Sequence, residues 1–293
     1  DCVTLSLASS EYIVGLHDNL IEDYSYSSGT TMEYTNDQCI MPSNDVSLTG
    51  SGNYTVEIYE GDNPDSIMLT ACVSVLDRQI SVQGEMMTNT RIDANRAHQQ
   101  VSFTIDHPRL RIADPMSDLR IYVRQNQRMD NQKKDIKPTI VQTNRLIYNQ
   151  NRNLIFEAGN EYRRFDMPSA RYNGMRVFST RYAAPYYYLS IVPDKIRANT
   201  RYIYDEDQNG RYIMRNDDGV DSSTDGDYFF VNFRLEAEYP FNDNVYINGN
   251  FTYDTFNDLY MLKYDYNEKV YYATLMLKQG LYNYQYLVGA KGN

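Results

Sequence analysis

Tryptophan is absent from this 293-residue chain, and histidine and cysteine occur only three times each. Cations are outnumbered too, 28 Lys and Arg against 39 Asp and Glu. Each scarcity excludes something. A net charge of −11 argues against a phosphate-binding surface, because nucleic-acid affinity comes mostly from Lys and Arg, and equally against docking onto anionic lipid. Cys2, Cys39 and Cys72 lie far apart with no CxxC pair, so zinc ligation is not expected. A Cys39–Cys72 bridge is open to an oxidising compartment, but free buried thiols are the expectation. No stretch approaches the ~20 apolar residues of a membrane-spanning helix. DCVTLSL, at the start, lacks the charged and apolar regions of a signal peptide and reads as the middle of a domain. His17, His98 and His107 show no HxxxH or HxH spacing and no GxSxG elbow accompanies them, so no catalytic role is expected of them.

What the chain has in excess is tyrosine, 29 against 10 Phe. Tyrosine suits strands and carries a polar tip, so the excess predicts half-buried sheet faces. The dominant period is two. Val101, Phe103 and Ile105 alternate with Gln100, Ser102 and Thr104; Leu119, Ile121 and Val123 alternate with Arg120, Tyr122 and Arg124. Over 227–239, Phe229, Val231, Phe233, Leu235 and Ala237 share one face, opposite Tyr228, Phe230, Asn232, Arg234 and Glu236. Strands that alternate this cleanly bury one face, as in antiparallel sandwiches. No amphipathic helix of useful length is present, and one short helical turn near 8–15 is the best candidate. A transmembrane barrel also alternates, but strand lengths here are uneven and Arg, Glu and Gln populate the faces opposite the apolar stripes. The expected class is all-β, as tandem antiparallel β-sandwich domains of immunoglobulin-like or early-set-like type.

Turn signals are dense: TGSGN at 49–53, EGDNPDS at 60–66, DQNG at 207–210, INGN at 247–250 and KQG at 278–280. The largest shift in composition is RNDDGVDSSTDGD, 215–227, acidic and small, which reads as an interdomain linker or a long mobile loop. A second seam falls near 77–95. The expected domains are therefore 1–77, the remainder of a first sandwich; 78–218, a second; and 222–293, a third.

Three stretches offer chemistry. DEDQNG places Asp205, Asp207, Asn209 and Gly210 like the first half of a calcium loop, but Asn216 stands where the bidentate Glu belongs. A hairpin between YIY and RYIM, capped by Asx side chains, explains the same residues, leaving metal ligands only as the weaker alternative. GNEYRRFD gathers Asn160, Glu161, Tyr162, Arg163, Arg164, Phe165 and Asp166. It reads either as an ion-pair network fixing a strand junction or, exposed, as Tyr and Arg anchors for a partner. LKQGLYNYQYLV sets Tyr282, Tyr284 and Tyr286 on one strand face, opposite Leu281 and Leu287. Exposed, those rings would form a ladder for a ligand or partner; turned inward, they would be core, and the inward orientation is the expected one. Carboxylate pairs are too plentiful to single out a glycosidase site, and no cofactor is expected.

In order along the chain, SSEYIVGLHDNLIEDYSYSSGTTMEYT (9–35), SGNYTVEIYE (51–60), HQQVSFTI (98–105), GNEYRRFDM (159–167), DQNGRY (207–212), DYFFVNFRL (227–235) and LKQGLYNYQY (277–286) carry a resemblance. Together they resemble the type IX secretion system plug protein family of Bacteroidetes, over essentially the whole chain. The resemblance implies an N-terminally shortened and divergent member, with Met129 where the pattern has Trp. It implies a non-enzymatic periplasmic protein of tandem β-sandwiches, at the inner face of the outer membrane, that closes the periplasmic mouth of the outer-membrane translocon barrel. Nucleic acid and membrane insertion have no part in it. INGNFTYDTFNDLYM with GLYNYQY also resembles a glycogen-binding early-set sandwich. That likeness implies, as the alternative, a carbohydrate-binding protein of the cell envelope that stacks a glycan on its tyrosines.

Overall fold

The structure, a computed structural model, describes residues 8–61, 63–198 and 200–289. Strand accounts for 44% and helix for 3%, so the all-β expectation holds. The helical turn expected near 8–15 is a 3-10 turn at Ser9–Glu11.

The first unit contains β1 (Ile13–Gly15), β2 (Asp23–Tyr26), β3 (Thr35–Gln38), β4 (Val46–Leu48), β5 (Gly52–Tyr59) and β6 (Ile67–Val75). They pair only two by two, β1 with β4, β2 with β3 and β5 with β6, all antiparallel. In the β5–β6 hairpin Tyr54 faces Val73, Val56 faces Ala71 and Ile58 faces Leu69. By strand alternation these six share one apolar face, yet Leu69 and Val73 remain 55% and 43% exposed. Cys39 and Cys72 are exposed, which corrects the expectation of buried thiols; Cys2 lies outside the described residues. Cysteines on so thin a layer have no interior to enter.

The second unit comprises β7 (Ser81–Met87), β8 (His98–Asp106), β9 (Ile140–Gln142), β10 (Arg145–Tyr148) and β11 (Ile155–Glu157) in one five-stranded sheet. Strand β8 is its centre, with β7 along one edge and β10 and β11 sharing the other. Phe103, Ile105, Leu146, Tyr148 and Leu154 form its core, and the Phe103 and Tyr148 rings stack at 4.4 Å. The expected strand at 119–125 does not form: only Val123 makes an isolated bridge, to Lys133. Its alternation still places Leu119, Ile121 and Val123 against the core. The periodicity there records which side chains face inward, not a hydrogen-bonded ladder.

The third unit runs from β12 (Arg163–Met167) through β13 (Val177–Ala183), β14 (Tyr186–Ile191), β15 (Asp194–Lys195), β16 (Tyr212–Met214), β17 (Tyr228–Glu236), β18 (Asn244–Asn248), β19 (Met261–Asp265) and β20 (Val270–Lys278) to β21 (Gly280–Gly289). These form one ten-stranded sheet, with β21 bonded to β12, β16 and β18, and β17 to β14, β15 and β20. The seam expected at 218–222 therefore does not divide domains. It cuts this sheet, because β12–β16 pair with strands that follow the acidic stretch. Two pairings, β14 and β15 with β17, are parallel, inside an otherwise antiparallel arrangement. Phe229, Val231, Phe233, Leu235 and Ala237 are all buried, as their alternation requires. Phe233 packs edge-on against Phe165 of β12 and Tyr284 of β21, which joins the two layers of the fold.

Candidate functional site

GNEYRRFD and LKQGLYNYQYLV, far apart in sequence, are neighbouring strands. Arg163 pairs in register with Tyr284, Arg164 with Asn283, Phe165 with Tyr282 and Asp166 with Leu281. Tyr282 and Tyr284 are 1% and 0% exposed and Tyr286 is half-buried. Phe165 stacks on Tyr282, so these rings fill the interior. Around them lies a shared carboxylate. Asp194, 3% exposed, accepts the hydroxyls of Tyr284 and Tyr286 on Oδ2, at 2.7 and 2.9 Å. Its Oδ1 faces Arg163 at 3.0 Å and Arg176 at 2.7 Å. Arg163 also donates to the Lys195 carbonyl and lies over the Tyr286 ring. Burial pushes the Tyr284 and Tyr286 phenols well above their ordinary range, and the Asp194 charge adds to it. Both stay neutral donors, and a buried carboxylate with two cations and two hydroxyls is fully answered. Asp166 ends the same edge paired with Arg215 at 3.0 Å, its carboxyl raised by burial. Arg163, Phe165 and Asp166 thus all lie along the pairing of β12 with β21.

Asn160 and Glu161 precede β12 and line an open cleft between the second and third units, and Glu161 receives the Tyr202 hydroxyl. Tyr162 is buried, with its N–H donated to Asp207. Asp205 pairs with Arg164 at 2.8 Å, while Asp207 also accepts from Asn209 N–H at 3.0 Å. Gly210 sits at φ +84°, and a Cβ there would stand 2.9 Å from Tyr162 Cε1, so the turn requires glycine. The expected hairpin is absent: RYIM becomes β16 and pairs with β21, while residues 202–204 form no strand. Among the described residues no three His, Cys, Asp or Glu side chains gather as a metal-binding group. The histidines are likewise separate: His17 is exposed, His98 meets Asp93 at 2.8 Å and buried His107 meets the Leu110 carbonyl at 3.0 Å.

The acidic stretch 215–227 is a built surface rather than a linker. Asp218 accepts the Ala170 N–H at 2.6 Å, Asp225 the Val220 N–H at 2.9 Å and Asp221 the Ser223 N–H at 2.8 Å. The loop between β2 and β3 docks on it. Asp227, 6% exposed, accepts Thr31 N–H at 2.8 Å, and Tyr34 donates to the Gly226 carbonyl at 2.8 Å. Lys278, 7% exposed, lies 4.1 Å from the Tyr34 ring centroid and donates to the Ser223 carbonyl. Burial pulls its ammonium below the ordinary range and pushes the Tyr34 phenol up to about 12. This clasp joins the first unit to the third, and its small acidic residues look from sequence like a flexible connector.

Sequence reasoning also passed over the outer face of the ten-stranded sheet. Tyr188, Phe230 and Met276 stand side by side on β14, β17 and β20. Tyr188 stacks on Phe230 at 5.3 Å, Tyr186 meets the same ring edge-on, and the Arg181 guanidinium lies over Tyr188. Tyr186, Tyr188 and Phe230 are half-exposed, and Met276 is 48% exposed. A visible signal was there: FF and YYY put aromatics on both faces of a strand, where one solvated face would carry polar residues. Aromatic rings with an arginine, on an open sheet face, have the composition of a protein-binding hot spot.

Residues 2–77 match the family described as the type 9 secretion system plug protein 1st domain. A crystal structure of a hypothetical protein from Parabacteroides merdae is similar over 98% of this chain and 72% of its own, with 39% sequence identity and a TM-score of 0.94. No curated protein matches. The matched family is one of secretion-system domains, not of enzymes.

Proposed function

The chain belongs to the type IX secretion system plug protein family, and we propose that it closes the periplasmic mouth of the type IX outer-membrane translocon barrel. In this reading it is a non-enzymatic periplasmic protein at the inner face of the outer membrane, using no cofactor. The family match at 2–77 carries the reading. The fold supports it: an obstructing subunit must be stiff, and a ten-stranded sheet with interlocked aromatic layers is stiff. A reversible contact also needs a surface with buried anchors and a polar rim, which the Arg181–Tyr188–Phe230–Met276 face can provide. The carbohydrate alternative loses the residues that motivated it, since Tyr282 and Tyr284 have no exposed ring face to offer a sugar.

Co-purification with detergent-solubilised translocon at low salt tests the reading. The wild-type protein should be retained, and Phe230→Ser with Tyr188→Ser should weaken retention at least tenfold without unfolding the protein. No retention of the wild type would refute the plug role; full retention of the double variant would move the contact to another surface. Deleting the gene should raise uptake of large antibiotics through the open pore.

A further inference from the structure

The cleft between the second and third units has a volume of about 1220 Å³. Its charge is unlike that of the chain. Five cations line it against three carboxylates, in a protein of net charge −11. Two of the five are matched: Arg128 by Asp130 and Arg163 by Asp194. The other three, Lys133, Arg152 and Arg197, have no carboxylate within ion-pair distance among the described residues. Lys133 rests over the Phe156 ring at 5.4 Å. Arg197 makes one bond, from Nη1 to the Glu161 carbonyl at 3.0 Å, which leaves the rest of its fork unused.

Arg197 is the most telling of these. It is half-buried, and burial together with the neighbouring charge of Arg163 makes its protonated form harder to hold than usual. Arg163 and Arg176 already share the one buried carboxylate, Asp194, and Arg197 has no ion-pair partner of its own among the described residues. Desolvated cations in this excess are stabilised by an added anion, and a guanidinium fork matches a carboxylate in a bidentate geometry.

We propose that this cleft binds a carboxylate-bearing polypeptide segment, with Arg197 as the fork and Lys133 and Arg152 as supporting charges. The volume exceeds what a single small carboxylate fills. Asn126 and Asn160 line it with amides that suit an extended main chain, and half-buried Tyr286 adds ring surface. The inference is independent of translocon docking, since the cleft and the outer sheet face share no residue.

A fluorescently labelled hexaglutamate peptide, followed by anisotropy at low salt, provides the probe. The net negative charge of the protein opposes any diffuse attraction, so retained binding reports a local site. The expected result is saturable binding, weakened at least tenfold in Arg197→Ala and in Lys133→Ala and unchanged in Arg181→Ala. The Lys133 variant guards against a folding defect, since its ammonium holds no backbone group. Absence of wild-type binding, or equal weakening in Arg181→Ala, would overturn the site. Citrate displacing the label as effectively as unlabelled hexaglutamate would overturn the peptide as ligand.

Discussion

The first and third units use the same strand periodicity to very different ends. In the third, alternating faces meet across two layers, and nineteen residues from Phe165 to Tyr284 form a continuous buried cluster. In the first, strands remain in separate pairs, and Val46 is the one buried hydrophobic among its described residues. Alternation specifies which side chains share a face; it does not supply the second layer that removes the face from water. The third unit is therefore held by its own core, whereas the first depends on where its hairpins dock.

The contrast can be broken at four points. Asp194→Ala should have the largest effect, about 3–5 kcal/mol, because it leaves two arginines and two buried hydroxyls without their shared acceptor. Urea denaturation of the third unit measures it, and a loss under about 1 kcal/mol would show that the network is not structural. Asp227→Ala comes next. It removes the acceptor of the Thr31 N–H and should cost about 1–3 kcal/mol. The first unit should then be cut faster in limited proteolysis while the third stays resistant; parallel loss of both would mean the units unfold as one.

Alkali should act on the same clasp. Tyr34 is raised from 10.0 to about 12 in the folded protein, mainly by burial. A raised phenol contributes stability that is complete below pH 10 and is lost as pH rises through 12. Tyr282, Tyr284 and Tyr286 are raised in the same sense. Tyrosinate absorbance should therefore appear in part gradually, from exposed rings, and in part as a cooperative step above pH 10; a single smooth titration would contradict the burial. The smallest effect is expected for Leu69→Ser, within about 0.5 kcal/mol, since its face is already wet. The same change at Val231, 0% exposed, should cost several-fold more. Equal costs would show that the β5–β6 face is covered in solution.

The fold class was legible because two-residue periodicity is a local property. Phe229 to Ala237 and Phe103 to Ile105 sit where alternation puts them. The third unit's extent was not legible, since β12 and β16 join β21 through pairings that no local signal records. Composition misled at 215–227, where Asp, Ser and Gly that resemble a linker instead cap one another's N–H groups. The tyrosines of β21 could be placed on one face from sequence, but only Asp194, brought in by β15, explains how their hydroxyls are buried. That carboxylate carried no motif of its own. The outer aromatic face is hidden for the opposite reason: alternation marks which stripe turns inward and carries no signal about what the other stripe meets.

The clasp around Asp227 has a mechanical consequence. Strands β17 and β20 are zipped by nine registered pairs, from Tyr228–Lys278 to Glu236–Val270, and must be sheared together. The first unit hangs on a few bonds at the tip of one hairpin, and these can be peeled singly. Under tension the joint should act as a fuse, releasing the first unit at low force as an early, reversible rip in an optical-tweezers trace while the ten-stranded body stays whole.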